Sequence, residues 1–184
     1  ANISYLLTNT TTFNITLNER FPDTCQLWGN WSGWSQKASI SATNGTNTFG
    51  PIIIGTDGNY SWNVYCNDTS NNNAWATNGN YTLAIDTTLP IVNLMSPANE
   101  SFNWPGTQTF SYNVSELDTI SNCSLIIDGA INLTNTTITK GVQQNFTQTF
   151  DYGDYEWSIN CTTAHGQIGS SETRMFYVPY VNVT

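Results

Sequence analysis

Positively charged side chains are scarce in this sequence. Its 184 residues include four lysines and arginines against thirteen aspartates and glutamates, which gives a formal net charge of -9. Nucleic acid and anionic lipid surfaces are bound by clustered Lys and Arg side chains. We therefore expect neither of them as a partner. No stretch approaches the roughly 18 consecutive apolar residues of a membrane-spanning helix, so we also expect no membrane span.

Groups that carry out catalysis or hold metals are few. The only histidine, His165, lies in a loop with no motif around it, which is typical of a solvated residue. No set of nucleophile, base and orienting group stands out among the hydroxyls and carboxylates. Residues 67–73 and 151–154 offer oxygen ligands but lack the spacing of a calcium loop, so calcium stays an alternative. We expect no enzyme, no cofactor and no metal.

Charged residues of both signs make up only 9% of the chain, so its solubility depends on neutral polar groups. Asn-X-Ser/Thr triplets are the acceptor sites of N-glycosylation, and each triplet alone is a weak motif. An Asn- and Thr-rich chain also produces such triplets by chance. Several of them nevertheless lie on the polar face of a predicted strand or in a turn, where a glycan is tolerated. Sixteen occur, at Asn2, Asn9, Asn14, Asn30, Asn44, Asn59, Asn67, Asn80, Asn99, Asn113, Asn122, Asn132, Asn135, Asn145, Asn160 and Asn182.

This composition predicts a heavily N-glycosylated protein that is secreted to the cell surface or beyond. No signal peptide is visible at the start of the sequence. We therefore expect Ala1 to begin a mature chain from which the signal peptide has been removed.

The sequence contains a duplication. Gly58–Cys66 reads GNYSWNVYC and Gly153–Cys161 reads GDYEWSINC, so Gly, Tyr, Trp and Cys recur at identical offsets. A pattern kept in this way marks two copies of one structural unit. We predict domain one at 1–86, domain two at 87–178 and a C-terminal tail at 179–184.

The repeated segment alternates between apolar and polar residues. Tyr60, Trp62, Val64 and Cys66 would face one side of an extended strand, with polar side chains mostly on the other. Seven or so such strands per domain, separated by Gly, Pro and Asn turns, predict an all-β fold of two tandem immunoglobulin-like Greek-key β-sandwiches. A tyrosine two residues after a glycine turn is analogous to a tyrosine corner.

Four cysteines fall two to a domain. Three connectivities are possible, and we favour Cys25 with Cys66 and Cys123 with Cys161, at separations of 41 and 38 residues. No Cys-X-X-Cys pair occurs, so a zinc site or free thiols are the weaker alternatives. Closing loops of this length stabilises each domain by about 4 kcal/mol in the chain-entropy model. Disulfides also imply an oxidising compartment.

A resemblance adds to this interpretation. The runs CQLW from Cys25, DGNYSWNVYCND from Asp57 and YTLAIDTTLP from Tyr81 resemble the tandem immunoglobulin-like repeats of large archaeal cell-surface proteins. The similarity covers essentially all of domain one, whereas domain two keeps only the Cys, Tyr, Trp, Cys skeleton. The resemblance implies an extracellular spacer, adhesin or polymer building block without catalysis.

The tail of the chain repeats the first predicted strand of domain two, and the start of domain one lacks that strand. Pro90–Leu94 (PIVNL) opens domain two, and the tail repeats this pattern, whereas the first twelve residues contain no such pattern. A free strand and a sandwich that lacks one are both satisfied when the tail of one copy completes domain one of the next. We therefore predict an extracellular, pilus-like homopolymer. Its predicted donor strand consists of Pro179, Tyr180, Val181, Asn182 and Val183.

Alternatives remain at this stage. Ile3–Leu7 is either domain one's own first strand or itself the donated strand. The alternative function is a cell-surface adhesin or carbohydrate-binding module of a larger surface-layer protein, with surface glycans or other cells as partners. Trp28, Trp31, Trp34, Trp75 and Trp104 lie in loop-like or outward positions. They could stack on sugars, but we expect them to pack beneath glycans or at a subunit contact. Aromatic side chains clustered in one exposed patch would favour the adhesin, whereas a tail buried in another subunit would favour the polymer.

Overall fold

The computed structural model describes residues 3–180, with side chains from Ser4 onward, and contains strands but no helix within that range. The predicted all-β fold is confirmed. The chain forms two compact units, Ala1–Thr87 and Thr88–Thr184, whose division lies one residue beyond the predicted domain boundary. Each unit is called a domain below.

Domain one contains eight strands, most of them short segments that end at Gly, Asn or Asp turns. Their bounds are β1 Ile3–Leu6, β2 Thr10–Leu17, β3 Pro22–Gly29, β4 Ser35–Ser41, β5 Gly45–Ile53, β6 Gly58–Asp68, β7 Asn73–Trp75 and β8 Tyr81–Ile85. The larger sheet has the order β1-β8-β6-β3-β4, with β7 also paired to β6, and the smaller sheet pairs β2 with β5.

Domain two contains nine strands. Their bounds are β9 Ile91–Ser96, β10 Ser101–Phe102, β11 Gly106–Ser115, β12 Ile120–Ile127, β13 Ala130–Asn135, β14 Gln144–Phe150, β15 Gly153–Thr163, β16 Ile168–Ser170 and β17 Arg174–Val178. The larger sheet has the order β10-β17-β15-β12-β13, with β16 on β15, and the smaller sheet has the order β14-β11-β9. In both domains the chain crosses repeatedly between the sheets, as in a Greek-key sandwich.

The core of each domain lies between its two sheets. In domain two the alternation of β15 is regular, and Trp157, Ile159 and Cys161 are all buried. The Trp157 ring meets Phe110 of the opposite sheet edge-on at 5.0 Å. Such aromatic pairs add to the free energy gained from buried area. In domain one Phe13 holds the place of Phe110.

The predicted disulfides are confirmed. Cys25 is bonded to Cys66 and Cys123 to Cys161, so each domain has one disulfide. Each bond joins residues that lie directly opposite on neighbouring strands of the larger sheet. The antibody disulfide instead crosses between the two sheets, so these domains share the immunoglobulin-like fold but not its disulfide.

The structure also adds features that the sequence pattern did not predict. Three short strands, β7, β10 and β16, were not among the strands that the alternating pattern predicted. Asn63 was predicted on the polar, outward face of β6 and is buried. Its amide nitrogen donates to the Asn80 side chain and its oxygen accepts the Val64 N–H, which satisfies these groups.

Tyrosine corners close the same turn in both domains. The Tyr60 hydroxyl donates to the Thr56 carbonyl at 2.7 Å, and the Tyr155 hydroxyl donates to the Asp151 carbonyl at 3.2 Å. Gly58, two residues before the first tyrosine, has φ +156°, and a Cβ there would lie 3.2 Å from the tyrosine oxygen. Both the positive φ of residue 58 and the Tyr60 ring next to it therefore require glycine at this position.

We expect Gly58→Ala to destabilise domain one by about 1–3 kcal/mol, because it strains the backbone and displaces the tyrosine. The matched control is Gly55→Ala in the same loop, where an added Cβ meets nothing within 4 Å. The measurement is chemical unfolding of both variants. Equal midpoints for the two would contradict this account of the corner.

Candidate functional site

One strand of domain two lacks a counterpart in domain one. The two larger sheets match strand for strand, with β1 in the place of β10, and the β2-β5 pair matches β11-β14. Among the described residues, nothing in domain one corresponds to β9, which pairs antiparallel with β11. The backbone edge of β2 away from β5 therefore has no strand beside it.

A groove runs along this free edge. It has a volume of about 430 Å³, and its lining includes Ile15, Leu17, Val64, Cys66 and Ala74. An adjoining pocket of about 350 Å³ shares Ile15 and Val64 with it and extends the depression along the strand. The groove thus lies between β2 and the larger sheet, on the flank where the domain has no third strand.

The strand pairings align the two domains in register. Phe13 of β2 faces Phe49 of β5, just as Phe110 of β11 faces Phe146 of β14. All four phenylalanines are buried. Counting from these pairs, Ile15 of β2 corresponds to Tyr112 of β11, and Leu17 corresponds to Val114.

The aligned edge residues differ in exposure. Tyr112 and Val114 of β11 are fully buried at 0% exposure, whereas Ile15 and Leu17, at the same positions of β2, are only half-buried. In domain two, Leu94 lies opposite Tyr112 and Val92 lies opposite Val114. The cover that β9 gives to these side chains is what domain one lacks.

The inner side of β6 is exposed for the same reason. Trp62 and Cys66 are half-buried, whereas their counterparts Trp157 and Cys161 are 1% and 0% exposed. In domain two, β9 packs against β15 and β16. Gly169 of β16 approaches the backbone of Pro90 so closely that a Cβ could not fit. A strand in this position therefore seals the core of domain two.

The structure places the first strand of the chain elsewhere. Strand β1 pairs in parallel with β8, with Ser4 opposite Leu83. The sequence pattern indicated this segment as a candidate first strand of domain one, which would leave no place for a strand donated by another copy. The pairing within the chain is present, but β1 corresponds to β10 and leaves the groove open. The two hypotheses therefore do not exclude each other.

One end of the groove is polar and already satisfied. Asp68 accepts the backbone N–H groups of Ser70 and Asn72 and the Asn72 side-chain amide. The Asn72 amide bond is the main reason that the pKa of the Asp68 carboxyl is lowered. Residues 3–180 contain no group of three or more His, Cys, Asp or Glu side chains placed to hold a metal ion.

The predicted donor residues are only partly described. Pro179 and Tyr180 are exposed, and the Tyr180 ring meets Tyr152 at 5.0 Å. Val181, Asn182 and Val183 lie outside the described residues.

The predicted glycosylation sites lie at accessible positions wherever they are described. Asn2 and Asn182 fall outside the described range, and within it no sequon asparagine is buried. Five are half-buried, at Asn67, Asn113, Asn122, Asn135 and Asn160. Nine are exposed, at Asn9, Asn14, Asn30, Asn44, Asn59, Asn80, Asn99, Asn132 and Asn145.

The tryptophans divide into three groups. Trp31, predicted to face outward, packs on the core of domain one and stacks on Phe13 at 5.7 Å. Trp104 is exposed in domain two. Trp28, Trp34 and Trp75 lie close together in domain one, and Trp75 also lines the groove beside β2.

His165 is more than the solvated loop residue that was predicted. Its Nδ1 lies 2.9 Å from Oδ2 of Asp118, which also accepts the His165 backbone N–H. Asp118 is 8% exposed, and its other oxygen accepts the N–H of Thr119. Burial raises the pKa of the Asp118 carboxyl, but the hydrogen bonds from His165 and Thr119 outweigh it and hold the pKa below its ordinary value.

No protein-family model and no curated protein matches this chain. Solved structures with a similar course of the chain include the following modules. The fibronectin(III)-like modules of Clostridium thermocellum CbhA are 12% identical, with a TM-score of 0.44, over 96% of this chain and 88% of theirs. The amphioxus IgVJ-C2 molecule is 10% identical, with a TM-score of 0.42, over 96% and 99%.

A third structure is SGBP-B of the Bacteroides ovatus mixed-linkage glucan utilization locus, in complex with a mixed-linkage heptasaccharide. It is 15% identical, with a TM-score of 0.29, over 96% of this chain and 43% of that chain. At these similarities the assignment rests on the strand order of this chain itself, which is that of two immunoglobulin-like sandwiches. Such domains with disulfides are typical of extracellular proteins. The described residues include no helix that is long and apolar enough to cross a membrane.

We expect Asp118→Asn to destabilise domain two by about 1–3 kcal/mol at neutral pH, because it removes a buried, hydrogen-bonded carboxylate. A lowered folded-state pKa means that this stabilisation is present above the ordinary carboxyl value of 3.8 and is lost as the pH falls through the lowered pKa. The variant should therefore lose less stability than the wild type as the pH falls below the ordinary carboxyl value of 3.8. Unfolding at several pH values measures this. The exposed Asp151→Asn is the control, and an equal pH profile for both variants would refute the prediction.

Proposed function

We propose that this protein is a non-catalytic structural subunit of an extracellular, pilus-like filament on an archaeal cell surface. In this proposal subunits polymerise head to tail, each donating its tail strand to domain one of the next. The observation that carries the proposal is the uncovered edge of β2 at the position that β9 fills in domain two. An adhesin or carbohydrate-binding module is the alternative.

The tail has the sequence that such a groove requires. In β9 of domain two, Val92 and Leu94 are buried and Asn93 points outward. The tail carries Val, Asn and Val at the matching positions after its proline. By the same register, Val181 would lie opposite Leu17 and Val183 opposite Ile15. The order of apolar and polar residues in the tail therefore matches that of β9.

The energetics favour this complementation. Burying two valine side chains contributes about 1.5–3 kcal/mol each before the cost of ordering the strand. The added strand also pairs backbone groups along β2, as other strand-addition complexes do. Cover over Ile15, Leu17 and Trp62 would add further buried apolar area. The gain in buried apolar area is largest at these side chains, because they are only half-buried in the single chain.

The geometry of the contact produces a polymer. The donating segment and the accepting groove are different surfaces of the same chain, so the contact is heterologous. A contact of this kind forms a filament whenever its rotation does not close a ring.

Secretion and N-glycosylation belong to the same proposal. The two disulfides suit an oxidising compartment, and nine sequon asparagines are exposed on the described surface. By analogy with Asn93, Asn182 would point away from the groove, so a glycan there is compatible with strand donation. Mass spectrometry of the protein isolated from its native source identifies the occupied sites.

Deleting residues 179–184 should abolish filaments in negative-stain images of the secreted protein, because the donor strand is lost. Val183→Asp should act in the same way, since it would place a carboxylate against Ile15. Asn182→Gln, on the outward side of the tail, is the matched control and should still assemble. Filaments from the truncated chain would refute donation by the tail, since β1 is already paired with β8 of its own chain. Monomers from the complete chain would favour the adhesin alternative.

The register can be tested by cross-linking. In domain two, Asn93 donates to Asn113 at 3.1 Å across the strand pair, and the corresponding positions are Asn182 and Thr16. A chain carrying Thr16→Cys and Asn182→Cys should give a ladder of covalent multimers on a non-reducing gel.

Two controls accompany the cross-linking experiment. Mixing the two single variants should give dimers only, because each chain then offers one thiol. Thr16→Cys with Tyr180→Cys, two residues out of register, should cross-link weakly, since diagonal neighbours lie about 7–8 Å apart. Equal ladders from both double variants would refute the proposed register.

A further inference from the structure

Four aromatic side chains form a platform on the outer face of the larger sheet of domain one. Trp75 lies at its centre, with ring centroids 5.1 Å from Tyr65, 5.6 Å from Trp28 and 6.5 Å from Trp34. Strands β3, β6 and β7 and the loop before β4 contribute one ring each. The aromatic platform therefore depends on tertiary structure, since its members are spread over 48 positions of the sequence.

The platform is exposed and fixed in place. Trp34 is 44% and Trp75 is 43% exposed, which is unusual for large apolar rings that lie side by side. The Trp28 indole N–H donates to the Gln26 side chain at 3.1 Å, which holds that ring in one orientation. At Trp28 a ligand would thus meet a ring that is already positioned, with little entropy to lose on binding.

The fold itself does not require these rings. Counting from the disulfide cysteines, the positions of Trp28 and Tyr65 correspond to Ile126 and Asn160 in domain two. Trp75 pairs with Tyr65 as Ser170 pairs with Asn160. Domain two builds the same sheet without an aromatic side chain at any of these three places. The aromatic platform therefore serves something other than the stability of the sandwich.

The surroundings of the platform are neutral. Trp28 lies opposite Gln36 of β4, and Gln26 is the neighbour of Tyr65. A protein of net charge -9 thus surrounds these rings with amides. The nearby cation Lys37 is held by the Ser32 and Ser35 hydroxyls and the Gly33 carbonyl.

Flat rings surrounded by amides match the chemistry of one ligand class. A pyranose ring has an apolar face of C–H groups that stacks on an indole and a rim of hydroxyls that bonds to amides. A phosphate-rich or sulfated polymer would instead need cations. We propose that Trp28, Trp34, Tyr65 and Trp75 form a binding site for the pyranose rings of a neutral oligosaccharide.

This proposal names a ligand for the alternative function, an adhesin or carbohydrate-binding module. The proposed site does not depend on strand exchange between copies. The oligosaccharide has two sources: N-glycans on another copy of this chain, or a foreign polysaccharide. The sixteen sequons would supply the first source in abundance. In that case the platform would hold neighbouring copies of the protein together through their glycans, whereas in the second case it would attach the protein to other surfaces.

The test is a fluorescence titration of the full-length, enzymatically deglycosylated protein. The probes are cellohexaose, mannohexaose, chitohexaose and the oligosaccharides released from the protein itself. At least one probe should change the tryptophan emission and saturate. Trp34→Ala and Trp75→Ala should each weaken that binding at least about fivefold, given the usual contribution of one stacked ring. Trp34→Phe should restore part of it.

Trp104→Ala is the matched control, because Trp104 is 77% exposed but belongs to domain two. It should bind as the wild type does. Binding of released glycans alone would assign the ligand to other copies, and binding of a plant or fungal probe alone would assign it to foreign surfaces. Both results support the site.

The proposal is overturned if no probe binds, if Trp104→Ala weakens binding as much as Trp34→Ala, or if sulfated heparin binds as well as the neutral probes. Circular dichroism of Trp34→Ala checks that the domain is folded. Trp34 does not line the groove beside β2. Filaments formed by Trp34→Ala therefore separate a failure of this site from a failure of strand exchange.

Discussion

The central constraint on this protein is that both sheets of a sandwich must be covered along their whole length. In each domain a disulfide links the two middle strands of the larger sheet, β3 to β6 and β12 to β15, and the opposite sheet packs on them. Two-stranded β2-β5 is too narrow to cover the same width as three-stranded β14-β11-β9. Apolar area left in contact with water is a cost to folding, and the difference lies on one flank of domain one.

Comparison of the two domains locates this flank without reference to any other protein. Because the larger sheets match strand for strand, a difference in exposure at matching positions has a local cause. Trp62 is half-buried and Trp157 is sealed, although both occupy the same place in the repeated motif. The same comparison identifies the aromatic platform, because three of its four positions are aliphatic or polar in domain two. Each domain thus serves as a reference for the exposure of matching residues in the other.

Much of the architecture could be predicted from local pattern. Alternation over Tyr155–Cys161 predicted a strand with a buried face, and two cysteines per domain at matching spacing predicted the disulfides. The short strands β7, β10 and β16 could not be predicted, because two or three residues carry no measurable period. Trp31 was expected to face outward, and only the turn that returns it to Gly29 and Phe13 places it on the core. Asn63 is buried by neighbours distant in sequence.

The sequence by itself determined the duplication, the all-β class, the disulfide pairs and the repeat of the β9 pattern in the tail, because each depends on spacing along the chain. Tertiary structure decided three further matters. It placed β1 in parallel beside β8, it left the edge of β2 open, and it gathered Trp28, Trp34, Tyr65 and Trp75 into one surface. Strand pairing and side-chain clustering join residues far apart in sequence, and no local pattern records which edges will meet.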